Sequence, residues 1–266
     1  MLIDSHAHLN FEEFSNRWQQ VAADCLDRNI WVINVGSQLI TSKQAVVVAE
    51  NFSQGIYAAV GLHPLHVWGS NFHPEEFFIS EYQEIINKTK KIVAIGETGI
   101  DFYHASNNFA SQQRVFTQQI NLAKENNLAL IIHSRNSQDG QRNAYQEILK
   151  ILKQEKYTRG VIHCFGGTAQ EAVAFLDLGF YLGFTGIITF KNAKLLQQIV
   201  RITPLEKLLI ETDSPYLAPE PHRGETNQPQ YVELVAAKVA ELQGLTLAQI
   251  ADQTSANAIK LFNLKT

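Results

Sequence analysis

Eight short apolar runs, rich in Val, Ile and Leu, recur along this chain, separated by segments with helical spacing. The runs are Leu2–Ser5, Ile30–Val35, Ile56–Leu62, Ile92–Ile95, Leu128–Ile132, Gly160–Ile162, Phe180–Phe184 and Leu208–Ile210. Most are continuous rather than alternating, the pattern of parallel strands covered on both faces. Between the runs, Phe116, Ile120 and Ala123 form an i, i+4, i+7 stripe, the mark of a helix with one buried face. Thr168-Ala-Gln-Glu171 is a capping box that opens a helix after the sixth run. Thr246-Leu-Ala-Gln249 gives the same signal near the end of the sequence. Strand and helix in alternation imply a parallel sheet. Eight such units in 266 residues predict an α/β fold, a single-domain (β/α)8 TIM barrel over 1–266. A doubly wound open sheet is the rival, but it does not need eight strands. No internal repeat, low-complexity stretch or linker divides the chain. The irregular parts are Pro64–Pro74, Asp101–Asn108 and Ser214–Gln228, and long loops in a compact domain often carry function. Tyr231 to Leu264 reads as two or three helices that close the barrel.

Polar residues end most of the runs. His6 and His8 follow the first, His63 the third, Glu97 the fourth, His133 the fifth, His163 the sixth and Asp213 the eighth. Five of the nine histidines in the chain therefore sit at strand ends. In a barrel these ends converge on one rim, where barrel enzymes keep their active sites. Residues spread over the whole sequence would then meet in one mouth. Strand alternation puts His6 and His8 on the same face, and two adjacent imidazoles are half of a metal site.

Imidazole and carboxylate together suit zinc, manganese or a similar divalent ion. A carboxylate can bridge two ions, with histidines on either side. Two ions about 3.5–4 Å apart clamp the attacking and leaving oxygens of a hydrolysis, and a bound ion can bring the pKa of water near 7. Asp213 can orient that water and take its proton. Taken singly, His133 or His163 reads as a core histidine and Glu97 or Asp213 as half of a structural salt bridge; together they read as a site. Asp4 shares the face of His6 and is either an orienting carboxylate or a structural one. Arg135, Lys191 and Arg223 follow strand ends and either grip a phosphate or are solvated loop charges. His66, His73 and His104 read as surface residues, and Cys164 as core packing, pointing away from His163.

Composition narrows the partners. The net charge is −4, whereas a dedicated duplex-binding domain usually has a pI above about 9. Any nucleic-acid contact is then local, such as a strand end entering a pocket. The two cysteines, Cys25 and Cys164, form neither a disulfide framework nor a C-x-x-C pair, which suits a reducing, cytoplasmic setting. No signal peptide is visible, and no run of about 18 apolar residues could cross a membrane. No protein partner is evident.

Several stretches resemble the TatD family of metal-dependent hydrolases. They are Asp4-Ser-His-Ala-His8, Gly61-Leu-His-Pro64, Gly96-Glu-Thr-Gly-Ile-Asp101, Ile132-His-Ser-Arg135, His163-Cys-Phe-Gly166, Gly186-Ile-Ile-Thr-Phe-Lys-Asn-Ala193 and Glu211-Thr-Asp-Ser-Pro-Tyr-Leu-Ala-Pro219. The terminal Asn257-Ala-Ile-Lys-Leu-Phe262 matches as well, so the resemblance covers essentially the whole chain in order. It implies a divalent-metal-dependent DNase that removes nucleotides from 3′ ends. It further implies two metal ions (Mg²⁺, Mn²⁺ or Zn²⁺), one held by His6, His8 and Glu97 and the other by Glu97, His133 and His163. Asp213 would bind metal and act as general base, with His63 as a substrate contact. A hydrolase of ester or amide bonds, such as an aminoacyl-tRNA deacylase or a small-molecule amidase, uses the same ligands and is the alternative. Two positions depart from the family pattern. Asn136 replaces an Asp after His-Ser-Arg, and Glu225 replaces a Lys after Gly224, which weakens attraction for phosphate.

Overall fold

The strands fall where the apolar runs lie. In the computed structural model, which describes residues 1–265, they are β1 (Leu2–Ala7), β2 (Ile30–Val35), β3 (Ile56–Val60), β4 (Ile92–Asp101), β5 (Ala129–Arg135), β6 (Gly160–Ile162), β7 (Tyr181–Phe184) and β8 (Leu208–Ile210). They form one parallel sheet in the order β1 to β8. The seam closes just beyond β8: Asp213 N donates to His6 O (2.8 Å) and His8 N to Ser214 O (2.8 Å). Seven helices alternate with the strands: α1 (Trp18–Asp27), α2 (Leu39–Glu50), α3 (Ile79–Lys88), α4 (Phe109–Asn126), α5 (Ala144–Glu155), α6 (Ala169–Asp177) and α7 (Lys194–Ile202). Two more, α8 (Val232–Gln243) and α9 (Leu247–Phe262), follow β8. The result is a (β/α)8 TIM barrel. Among the described residues no single helix is long and apolar enough to cross a membrane.

Strand alternation divides the core in two. Leu130, Ile132, Ile162, Leu208 and Ile210 face outward and join the helices, including the Phe116, Ile120 and Ala123 stripe of α4. Their alternates Ile3, Ile33, Ala59, Ile131, Val161 and Leu209 form a separate interior cluster. Helix α9 seals that cluster with Leu261 and Phe262. Both capping boxes form: Thr168 and Glu171 open α6, and Thr246 and Gln249 open α9.

The elements differ from the sequence expectation at several strand ends: β1 runs on to Ala7 and β5 to Arg135, which puts His6 and His133 within strands. The third run gives up Gly61 and Leu62 to the loop. The fourth continues past Ile95 to Asp101, so Glu97 lies within a strand rather than after one. The β4–β5 register shifts between Ile95 and Thr98, an irregularity of the kind that re-aims a side chain beside a site. Gly99 is required just beyond it: its φ is +142°, and a Cβ there would meet His133 O at 2.0 Å. Two amides of α4 brace this region. Gln119 Oε1 accepts from Leu62 N (2.9 Å), and its Nε2 donates to Thr98 Oγ1 (2.6 Å). Gln112 Oε1 accepts from Asp101 N (2.8 Å), and its Nε2 donates to Asp101 O (3.0 Å).

Candidate metal centre

The interior positions change character toward the strand C-termini. Ile131 is followed two residues on by His133, Val161 by His163, Leu209 by Glu211 and then Asp213. His133, His163 and Asp213 line a cleft of about 740 Å³ that also includes His8, His63, Glu97, Arg135 and Tyr216.

His6 Nε2 lies 3.1 Å from His8 Nε2, 3.4 Å from Glu97 Oε2 and 3.6 Å from Asp213 Oδ1. His8 is oriented from behind, with Nδ1 2.8 Å from Val35 O. Asp213 Oδ1 is also 3.5 Å from His8 Nε2 and 3.5 Å from His163 Nε2, so one carboxylate oxygen faces three imidazoles. On the other side, Glu97 Oε1 is 3.0 Å from His133 Nδ1 and 3.3 Å from His63 Nε2. Three sets are close enough to share an ion: His6, His8 and Glu97; His63, Glu97 and His133; and His6, His163 and Glu211. Glu97 belongs to the first two, as a bridging ligand would. His133 is grouped with His63, and His163 with His6, on whose ring it stacks at 3.5 Å.

Two buried carboxylates that sequence reasoning did not single out stand behind these histidines. Asp101 Oδ2 is 2.9 Å from His133 Nε2, and Glu211 Oε1 is 2.8 Å from His163 Nδ1. Each histidine thus shows one nitrogen to the cluster and the other to a carboxylate, the arrangement that fixes tautomer and ring orientation in metal sites. Glu211 is held by Ser5 Oγ (3.0 Å) and Cys164 N (2.6 Å). Gly183 leaves it room, since a Cβ there would come within 2.5 Å of Oε2. A carboxylate two residues before Asp213 and one four residues after Glu97 were the available sequence signals.

The electrostatics are those of mutually stabilised buried charges. Burial opposes ionisation of Glu97, but the surrounding His63, His6 and His133 imidazoles outweigh it and hold the carboxyl below its usual range. Burial likewise opposes ionisation of Asp213, and His163 overcomes it. Burial disfavours the charged form of His133, yet hydrogen bonds to Asp101 and Glu97 raise it to about 9. Burial pushes His63 down to about 4. Buried His6 leaves Nδ1 without a partner while Nε2 faces two carboxylates and a second imidazole. A divalent cation fits this donor set, replacing contacts between like groups with shared coordination.

The remaining candidates are placed as follows. Arg135 lines the cleft, its guanidinium 4.2 Å above the Tyr103 ring. Arg223 is not among the cleft-lining residues and stacks on Phe190 at 4.3 Å. Asp4 is fully buried at the barrel seam, where it accepts hydrogen bonds from Thr212 N (2.9 Å) and Thr212 Oγ1 (2.5 Å). Cys164 departs from the expected core position. β6 has ended, its φ is +45°, and it lines the cleft with Sγ 3.4 Å from Thr185 Oγ1. His66 and His104 also line the cleft, where His104 is exposed. Asn136 Oδ1 accepts from Ala144 N (2.8 Å) at the start of α5, and Glu225 pairs with His222 (2.9 Å).

A profile described as TatD related DNase matches residues 3–263. The chain belongs to the TatD family. It is 38% identical over 270 residues to a Bacillus subtilis protein named uncharacterized metal-dependent hydrolase YabD, covering 99% of this chain and all of that one. It is 35% identical over 272 residues to the Escherichia coli K12 protein YcfH, similarly named, covering 99% and 96%. The crystal structure of YjjV, a TatD homologue from E. coli K12, superposes with a TM-score of 0.87 at 28% identity, covering 99% and 98%.

Proposed function

We propose that this TatD-family chain is a metal-dependent phosphodiesterase that removes nucleotides from the 3′ end of single-stranded or frayed DNA. The observation that carries the reading is the convergence of five imidazoles on Glu97 and Asp213 in one open cleft. His6, His8 and Glu97 would hold one divalent ion, and Glu97 with His133 the second, with His63 or His163 completing it. Ions held there polarise a phosphoryl oxygen and acidify water.

The chain's own residues do the rest. Asp213, kept ionised by its histidine neighbours, orients the attacking water and takes its proton on Oδ1. Asp101 and Glu211 keep the His133 and His163 rings facing the cluster. Arg135, at the end of β5, presents its guanidinium at the cleft wall for a backbone phosphate. The family description as a DNase supports phosphodiesters over the acyl esters and amides that the same ligands could hydrolyse.

The test is an end-labelled oligonucleotide incubated with pure protein and Mg²⁺ or Mn²⁺. Stepwise loss of nucleotides from the 3′ end is expected. No release at enzyme excess, with turnover of an ester or amide, would replace this reading with the acyl hydrolase. If two or three phosphates are neutralised, log affinity falls with log salt with a slope of about −1.5 to −2, using about −0.7 per phosphate for single strands.

A further inference from the structure

A line of aromatic rings leaves the cleft on the β4 side. The Arg135 guanidinium lies 4.2 Å from the Tyr103 ring centre, Tyr103 is 4.6 Å from the His104 ring, and His104 is 5.9 Å from Phe72. Arg135 and His104 line the cleft, so the inner end of this line is continuous with the candidate centre. Its other members are open to solvent: Tyr103 is 40% exposed and Phe72 41%.

The line is anchored. Asp101 accepts from His104 N (2.7 Å) through Oδ1 and meets His104 Nδ1 (3.2 Å) through Oδ2. The same Oδ2 touches His133, which ties the base of the line to the candidate centre. At the outer end His66 Nδ1 lies 2.6 Å from Phe72 O, and Phe72 N donates to Ser70 Oγ (3.1 Å). Exposed aromatic surface held in place beside a cleft marks a binding surface rather than packing.

Charge argues for the occupant. A single strand can be held by its phosphates or by its bases. This chain carries a net charge of −4, and two of its three candidate phosphate-binding cations, Lys191 and Arg223, are outside the cleft lining, Arg223 on Phe190. Bases, by contrast, stack on any aromatic face and need no cation. We infer that Tyr103, His104 and Phe72, leading out from Arg135, form a stacking track for successive unpaired nucleobases of a single strand whose end lies in the cleft. The inference rests on the phosphodiesterase reading and adds to it the means of selecting single strands: paired bases have no free face to offer the track.

The experiment compares two short strands with equal numbers of phosphates, an oligothymidylate and its abasic counterpart. Both carry phosphorothioate linkages to block cleavage and are titrated by fluorescence anisotropy against Mg²⁺-loaded protein. The oligothymidylate should bind about tenfold more tightly or better, from stacking of one base or more. The double variant Tyr103→Ala/Phe72→Ala should lose that preference, while Phe78→Ala, an exposed aromatic outside the track, should keep it. Melting temperatures of the variants check that both are folded. Equal affinity for the two strands in the wild type, binding of neither, or a preference retained in the folded double variant would overturn the track. Failure of the phosphodiesterase reading is recognised separately: an unmodified oligonucleotide would release no nucleotides even where the base preference is present.

Discussion

The floor and the mouth of this barrel are built from the same strands, often two residues apart, yet they answer to different physics. At the floor Ile3, Ile33, Ile131, Val161 and Leu209 are buried against one another and against α9. Their stability comes from removing apolar surface from water, about 25 cal/mol per Å². At the mouth His6, His163, Glu97 and Glu211 are buried just as deeply, but each costs desolvation free energy that only a partner offsets. Pairing rather than packing holds the mouth in place. A barrel can carry such a cluster because the floor beneath it and the helical ring around it supply the fold.

Variants can break that comparison or sharpen it. The largest effect is expected for Asp213→Asn, which should lower turnover about 10²–10⁴-fold, the usual contribution of a general base, with little change in melting temperature. Turnover close to wild type would remove Asp213 from the proposed role. Next, at the floor, Ile33→Ala should destabilise by about 2–5 kcal/mol in urea unfolding while the folded protein binds the same number of metal ions. A change in metal stoichiometry would show that floor and mouth are not separable.

Smaller again, Asp101→Asn and Glu211→Gln should each weaken metal affinity about 10–100-fold in calorimetric titration, because the His133 and His163 rings lose their rear carboxylates. Unchanged affinity would make both carboxylates merely structural. The seam offers an effect of another kind, read against pH. Burial raises the Asp4 carboxyl from its ordinary 3.8 to about 8 against the hydrogen bonds from Thr212. The folded state then holds a proton that the unfolded state releases between these values. The stabilising term is full below 3.8 and is lost as pH rises through 8. Subtracting the stability–pH curve of Asp4→Asn from that of the wild type should leave a difference that falls across this window. A flat or rising difference would show Asp4 to be ionised in the fold.

Much of the fold was legible because its signals are local. A run of Val, Ile and Leu beside a helical stripe states strand and helix without reference to anything distant. The histidines after the fifth and sixth runs, and Asp213 after the eighth, continue the interior parity of Ile131, Val161 and Leu209. Glu97 was named because it follows the fourth run, although it shares the parity of the outward-facing Ile95; its strand runs on to Asp101 with a register shift between Ile95 and Thr98. Asp101 and Glu211 were passed over because nothing in their own neighbourhoods says that a histidine from another strand lies behind each of them. His104, read as a surface residue, is held at the cleft by Asp101 for the same reason. Cys164 defeated the alternation rule because the strand had already ended before it.

The sequence by itself determined the number and kind of elements, the rim on which the polar residues gather and the stock of imidazole and carboxylate available there. Only the tertiary structure decided which of those groups face one another. It set His163 against Glu211 and His6, His133 between Glu97 and Asp101, and Arg223 on Phe190. The division has a physical reason. Alternation and capping are properties of a few consecutive residues, whereas contacts across the mouth depend on how eight strands are staggered when the sheet closes.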